Sequence, residues 1–274
     1  MIVGLLMLGG GAAAGVFGSL LGLGGGVLIV PLLTLGFGLP LRDAVGVSLV
    51  CVIMTSSAAA GVYLERHVAN LRLGMTLELF TALGALIGGS IAFLLDERLI
   101  TLLFTGLLAY VAVTMARAGT VPAAAVSELD VDPVTDEPGA GTVLDRLSGE
   151  GYRVRNIGLG VAGATGAGVV SALLGIGGGI VKVPLMHVGM GVPLRVATAT
   201  SNLMIGITAA ASTVIYIAHG GIDPYVAGPT AIGVFLGASA GSRLSHRVDV
   251  RVLRLLFVIV IGYTAVQMLL RVVG

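Results

Sequence analysis

Two glycine-rich pentapeptides are the parts of this sequence best suited to hold a ligand. They read GLGGG at Gly22–Gly26 and GIGGG at Gly175–Gly179, and each directly precedes a short apolar segment that contains a proline. Glycine permits tight turns and lets a ligand approach the backbone. A half helix beginning after such a turn would point its N–H groups at an anion, whereas the alternative reading is close helix packing on glycine faces. The candidate ligand-binding glycines are Gly24, Gly25, Gly26, Gly177, Gly178 and Gly179.

Polar side chains near these turns extend the candidate site. Lys182 follows Gly179 by three positions in an apolar run, and a cation at membrane depth usually has a partner or a function, here as a point charge for an anion. Its alternative is to extend to the membrane interface. Ser48, Ser201 and Asn202 could replace water around an oxyanion, or could instead form hydrogen bonds between helices.

Three further charged residues have two readings each. Arg42 and Arg195 begin corresponding apolar segments and could guide anions through a vestibule or gate, or could be interfacial anchors that set the topology. Glu78 lies inside an apolar segment and is a candidate for proton coupling. Its alternative is an interfacial position beside Arg72.

Catalytic motifs find little support in this chain. Gly237–Gly241 reads GASAG and matches the hydrolase pattern G-x-S-x-G, but it lies in an apolar helical stretch without the strand-to-helix turn that this motif requires. A small-residue packing face explains it better. Neither pentapeptide completes a dinucleotide or ATP motif, and one cysteine, Cys51, cannot form a cysteine-based metal site. We therefore predict no enzyme, no catalytic residue, no cofactor and no metal.

The composition places these candidates in a membrane. Of 274 residues, 56% are hydrophobic and 11% are charged, whereas soluble domains carry about 25% charged residues. Mean hydropathy is +1.06. The lipid bilayer is therefore a partner, and we expect a small anionic substrate; the sequence is compatible with either a monomer or a homo-oligomer. The net charge of +1 gives no reason to expect nucleic acid. No basic residue precedes the first apolar stretch, so we expect no cleaved signal peptide.

The chain is an internal duplication. One constant shift places Gly22–Gly26 on Gly175–Gly179 and Gly38–Arg42 on Gly191–Arg195, and it also aligns Ser48 with Ser201. Duplicated halves are common in secondary transporters. We therefore predict a first transmembrane repeat at 1–118, an acidic hydrophilic linker at 119–156 and a second transmembrane repeat at 157–274.

Each half contains five apolar segments, of which the second is too short to span a membrane. The short segments follow the glycine turns, which predicts a broken hairpin of helix, turn and half helix in each repeat. The predicted segments are 2–21, 27–38, 44–64, 73–95 and 99–117, and then 157–174, 180–191, 196–217, 225–245 and 252–271.

The distribution of arginine favours inverted repeats. Inverted halves place most arginines on one side of the membrane, as the excess of positive charge in cytoplasmic loops requires, whereas parallel halves divide them nearly evenly. The fold prediction is therefore an all-α, polytopic transmembrane helical bundle of two inverted repeats. It places the linker 119–156 in the cytoplasm and both termini outside.

The doubled pattern resembles the sulfite exporter TauE/SafE family. The likeness rests on the two pentapeptides, each followed by a proline (Pro31 and Pro184), and on the continuations GLPLRDA from Gly38 and GVPLRVATATS from Gly191. The resemblance implies a secondary transporter in the cell membrane that exports sulfite or a small organosulfur anion such as a sulfonate. It also implies that the glycine turns border the substrate site. A passive anion channel is the alternative, followed by an intramembrane enzyme and a scaffold.

Overall fold

The computed structural model describes residues 2–21, 25–65, 69–117, 147–149, 152–244 and 250–273. Within these ranges the protein is helical and contains no strand. A π-helical turn, Leu32–Gly36, directly follows the short helix Gly26–Pro31, and another, Leu185–Gly189, directly follows the short helix Gly179–Pro184. The α-helices are α1 (Ile2–Leu21), α2 (Gly26–Pro31), α3 (Leu41–Glu65), α4 (Leu71–Leu94), α5 (Glu97–Arg117), α6 (Ile157–Leu174), α7 (Gly179–Pro184), α8 (Leu194–Ala218), α9 (Pro224–Leu244) and α10 (Val250–Val273).

These helices confirm the predicted polytopic helical bundle. Each predicted segment corresponds to one helix, or to a short helix with its π-helical turn, and its ends agree within about three residues, the usual uncertainty of a helix boundary. Most of the predicted linker lies outside the described residues, so the domain boundaries remain a prediction. Among the described helices, six stretches are long and apolar enough to cross a membrane: Ile2–Leu20, Leu41–Ala58, Leu71–Leu94, Glu97–Ala116, Ile157–Leu174 and Val196–Ala218.

Glycine and proline shape the two short helices. Gly175, Gly177 and Gly178 have φ angles of 69°, 74° and 76° between α6 and α7, a left-handed conformation that glycine adopts at little cost. Pro31 and Pro184 are the last residues of α2 and α7. Because proline lacks the N–H that continues an α-helical ladder, a change of helix type directly after it has a physical cause.

The two halves interlock through their first and fourth helices. Helix α1 packs along α9, and α4 packs along α6, so the first helix of each half lies against the fourth helix of the other. A Cβ on Gly237 would overlap the carbonyl oxygen of Ala12, and one on Gly84 would overlap that of Thr165. Gly237–Gly241 thus lies where two backbones approach closely, as in small-residue helix contacts of membrane proteins.

Helices α3 and α8 cross at the centre in antiparallel directions. Ser56, late in α3, donates to the carbonyl oxygen of Asn202 early in α8 at 2.5 Å. Gly46, early in α3, lies against the ring of Tyr216 near the end of α8. Inverted repeats require this antiparallel crossing, since α3 and α8 are equivalent helices of the two halves. The orientation of the halves in a membrane remains a prediction.

Candidate functional site

The two glycine turns meet at the centre of the bundle. A Cβ on Gly26 would overlap the carbonyl oxygen of Gly175, so only glycine fits at this contact. The same carbonyl oxygen accepts a hydrogen bond from Ser48 Oγ on α3 at 2.7 Å. Gly25 and Gly26 therefore lie beside the second turn with Gly177–Gly179, while Gly24 lies outside the described residues.

Lys182 extends from the second turn into the protein interior. Its side chain is 1% exposed, and its Cε lies 3.4 Å from the position of a Cβ on Gly178. Its Nζ donates to Oε2 of Glu78 on α4 at 3.2 Å and to Oγ1 of Thr208 on α8 at 2.5 Å. The structure therefore places this lysine in a buried ion pair rather than at an interface.

Glu78 is equally buried, at 3% exposure, and so does not occupy the interfacial position beside Arg72. Its Oε1 accepts a hydrogen bond from Thr208 Oγ1 at 2.6 Å, which closes a ring of three side chains from α4, α7 and α8. Burying one charge alone in a medium of low dielectric is costly, and the opposite charge offsets much of that cost. The three side chains are therefore energetically interdependent.

Two buried hydroxyl groups at the second glycine turn have no hydrogen-bond partner among the described residues. They are Ser171 Oγ on α6 and Ser201 Oγ on α8. Ser171 Cβ lies 3.3 Å from the position of a Cβ on Gly178, and Ser201 Oγ lies 3.7 Å from that on Gly179. Since buried hydroxyls nearly always have partners, two unpaired ones at the same turn can supply donors to an anion.

The remaining candidates lie elsewhere or have structural contacts. The carbonyl oxygen of Asn202 accepts a hydrogen bond from Ser56, which joins α8 to α3. Arg42 donates to the carbonyl oxygen of Leu95 at 2.8 Å, and its guanidinium carbon lies 5.4 Å from the centre of the Phe93 ring. These contacts fix Arg42 between α3 and the end of α4 rather than at the turns. The side chain of Arg195 lies outside the described residues, so a vestibule remains a prediction.

The sequence left Ser171, the role of Thr208 and the pairing of Glu78 with Lys182 unidentified. Glu78 and Lys182 are far apart in the chain, and only the fold joins them. One signal was available: both break the internal repeat, because their equivalents in the other half are the apolar residues Ala231 and Ile29. Ser171 aligns with Gly18, so an argument from symmetry could not detect it.

Comparison with known proteins agrees with this architecture. The sequence matches the family described as Sulfite exporter TauE/SafE over residues 7–268. The chain belongs to the TauE/SafE family. This family member is 24% identical to the probable membrane transporter protein YunE of Bacillus subtilis over 94% of both chains. It is 28% identical to a probable membrane transporter protein of Xylella fastidiosa, covering 89% of this chain and 85% of that one.

A third relative is longer. The probable membrane transporter protein MamO of Paramagnetospirillum magneticum is 30% identical over 98% of this TauE/SafE chain, which covers 44% of MamO. No solved structure matches the chain significantly. The family and the relatives identify a multi-pass membrane transporter and do not favour the channel alternative.

Proposed function

We propose that the protein is a secondary transporter that exports sulfite or a small organosulfur anion such as a sulfonate through the centre of the two repeats. The observation that carries this proposal is the position of Lys182, a fully buried ammonium beside two unpaired hydroxyls at the meeting point of the glycine turns. The family description supports sulfite or a related anion as the substrate and export as the direction.

Each part of the proposed site has a distinct physical role. The Lys182 ammonium supplies a compact positive charge that needs no fixed orientation of its partner. Ser171 and Ser201 donate hydrogen bonds to two oxygens of a sulfur oxyanion. Gly177–Gly179 lack side chains and so allow the anion to approach the backbone. Ser48 and Asn202 hold the turns and the central helices in position through their contacts across the two halves.

The interlocked halves support alternating access. In inverted-repeat transporters, one group of helices rocks against another around a fixed central site. Here α1 with α9 and α4 with α6 form two tightly packed pairs that can move as units. The crossing of α3 and α8 lies between these pairs. We propose that export proceeds by their relative movement, with the linker 119–156 on the cytoplasmic side.

Flux through proteoliposomes tests this proposal. Vesicles loaded with sulfite, thiosulfate, taurine, isethionate or sulfate are assayed for saturable uptake and for exchange of labelled against unlabelled anion. We expect one or two sulfur anions to be exchanged. Because a hydrogen bond to a charged group contributes about 1.5–3 kcal/mol, Ser171→Ala and Ser201→Ala should each weaken apparent affinity by roughly 10–150-fold.

Ser90→Ala is the matched control. Ser90 is exposed on α4 and donates only to the carbonyl oxygen of Leu86, one helical turn earlier, so its removal should leave affinity unchanged. If both serine variants bind the anion with the same apparent affinity as the wild type, the proposed site is refuted. The absence of exchange for every sulfur anion would refute the substrate class, and unsaturable, conductive flux would indicate a channel.

A further inference from the structure

The structure pairs the ammonium group of Lys182 with a carboxylate of the same chain. Glu78 Oε2 lies 3.2 Å from Nζ, and both side chains are almost completely buried. If Lys182 binds the transported anion, that anion and the carboxylate are alternative ligands of one ammonium. Holding both negative charges beside one positive charge would leave an uncompensated charge in a low-dielectric interior, which is strongly unfavourable.

We infer that Glu78 binds the coupling proton: a monoanion binds Lys182 only when the Glu78 carboxylate accepts a proton, so proton and anion cross the membrane together. This inference rests on the proposed function and specifies its coupling ion. In the empty site, carboxylate and ammonium sum to zero charge. In the loaded site, the neutral carboxylic acid, the ammonium and the anion also sum to zero. Transport of a monoanion is therefore electroneutral.

Thr208 can accommodate both states of Glu78. With the carboxylate ionised, Thr208 Oγ1 donates to Glu78 Oε1 at 2.6 Å. The same hydroxyl lies 3.0 Å from the carbonyl oxygen of Met204. When the carboxyl group carries a proton on Oε1, the hydroxyl accepts that proton's hydrogen bond and donates its own to Met204. A threonine at this position thus keeps a hydrogen bond to Glu78 Oε1 both before and after the proton binds.

Lys182 on α7 is the charged group that faces Glu78. Residues 157–174, which form α6, contain no titratable side chain. The titratable residues of α8 are Arg195 and Tyr216, near its two ends, and the hydroxyl of Tyr216 is bound to the carbonyl oxygen of Ala172. On α4 itself, the other charged residue is Arg72, nearly two helical turns before Glu78. Proton exchange at Glu78 is therefore governed by Lys182 and by the anion that replaces it.

A narrow recess between α4 and α8 reaches Glu78. Its volume of about 20 Å³ exceeds the 10–15 Å³ needed by one water molecule but is far below the size of an organosulfur anion. It therefore has room for one water molecule at most and not for substrate. Most of its lining is apolar, and its lining residues are Asn70, Leu71, Gly74, Met75, Glu78, Thr200, Leu203, Met204 and Ile207.

The internal repeat argues against a purely structural pair. The other half places Ala231 and Ile29 at the positions equivalent to Glu78 and Lys182. Both are packed in apolar surroundings, and Ile29 is fully buried. The same helix junction is thus built without charge on the opposite side of the molecule. Packing does not require the charges, which leaves a role in transport as their explanation.

Simultaneous measurement of anion and proton movement tests the inference. Proteoliposomes contain a fluorescent pH indicator, start at equal pH on both sides and are clamped at zero potential with potassium and valinomycin. External isethionate is the probe, because a sulfonate keeps its single negative charge throughout the usable pH range. We expect the wild type to acidify the lumen by one proton for each anion that enters, at a rate unaffected by membrane potential.

Glu78→Gln mimics the protonated carboxyl group. This variant should exchange labelled for unlabelled isethionate without acidifying the lumen. An imposed proton gradient should not drive accumulation of isethionate. Glu78→Asp, which retains a carboxylate, should retain coupling. Asp96→Asn removes an exposed acid between α4 and α5 and should behave as the wild type. Elution of each variant as a single species by gel filtration separates lost coupling from misfolding.

Three results would decide the matter against the inference. Isethionate entry without protons in the wild type, or unchanged proton entry in Glu78→Gln, would overturn proton coupling and leave the transporter intact. If isethionate is not a substrate, any sulfonate that exchanges replaces it in the same assay. The absence of exchange for every sulfur anion would refute the proposed function, and the inference would fall with it.

Discussion

Lys182 and Glu78 form a buried ion pair. Replacing one of the two residues should destabilise the protein strongly, whereas replacing both should not. We consider the near-isosteric changes Lys182→Met and Glu78→Gln, separately and together. Each single change leaves one charge at a site where the side chains are 1% and 3% exposed. Solvent cannot screen that charge, so the single variants should lose more stability than the double variant.

The size of the loss follows from the least costly way to remove the remaining charge. A carboxylic acid in water has a pKa of about 4.3, and an alkylammonium has one of about 10.4. Protonating the carboxylate at pH 7 therefore costs about 3.7 kcal/mol in Lys182→Met. In Glu78→Gln the ammonium keeps its charge at pH 7, and the cost of deprotonating it, about 4.6 kcal/mol, is the upper limit of the loss. Both values lie within the 3–5 kcal/mol typical for one lost partner of a buried pair. The double variant should lie within about 1–2 kcal/mol of the wild type.

The pH dependence of the two single variants has opposite signs. Folding of Lys182→Met takes up a proton, so its loss of stability shrinks as pH falls and reaches about 1.6 kcal/mol near pH 5.5. In Glu78→Gln the upper limit of the loss falls as pH rises, because deprotonating the ammonium becomes less costly, and it reaches about 1.9 kcal/mol near pH 9. A loss caused only by altered packing would not vary with pH.

The protein contains its own reporter for this measurement. Cys51 is the single cysteine in the sequence and is fully buried. A maleimide that fluoresces on reaction with a thiol therefore reports exposure of the central helix α3 as sodium dodecyl sulfate unfolds the protein. Unfolding curves at three pH values give the four free energies of the double-mutant cycle. A double variant as unstable as either single variant, or losses independent of pH, would refute the reasoning.

Two further predictions concern helix packing. Gly84→Leu should lower the free energy of unfolding by at least the 1–3 kcal/mol typical of overpacking, since even a Cβ overlaps the Thr165 carbonyl oxygen, whereas Gly106→Leu, which meets open space, should be neutral in the same assay. Equal effects would show that α4 and α6 are not in close contact. Arg271→Gln should cost less than about 1 kcal/mol, because the arginine is exposed although it donates to the Thr34 carbonyl oxygen at 2.9 Å. A larger loss would show that this hydrogen bond secures the π-helical turn.

The sequence by itself determined the class of the protein and the position of its helices. Hydrophobic length decides which segments can cross a bilayer, and this property is local, so α1 to α10 were predicted closely. The two GxGGG turns and the prolines after them were equally readable, because left-handed glycine and the missing N–H of proline act on adjacent residues. The internal repeat then indicated that equivalent residues on the two sides meet at the centre.

Only the tertiary structure decided what surrounds Lys182. Hydropathy favours an interfacial or a buried position almost equally for a charged residue near the end of an apolar segment, so the sequence left both Lys182 and Glu78 with two readings. The choice depends on the packing of α4 against α6 and α8, which brings residues from opposite halves of the chain within hydrogen-bond distance. The same packing buries Ser171 and Ser201 without partners beside the turn. Burial and pairing are long-range properties, and for residues that break the repeat no local pattern encodes them.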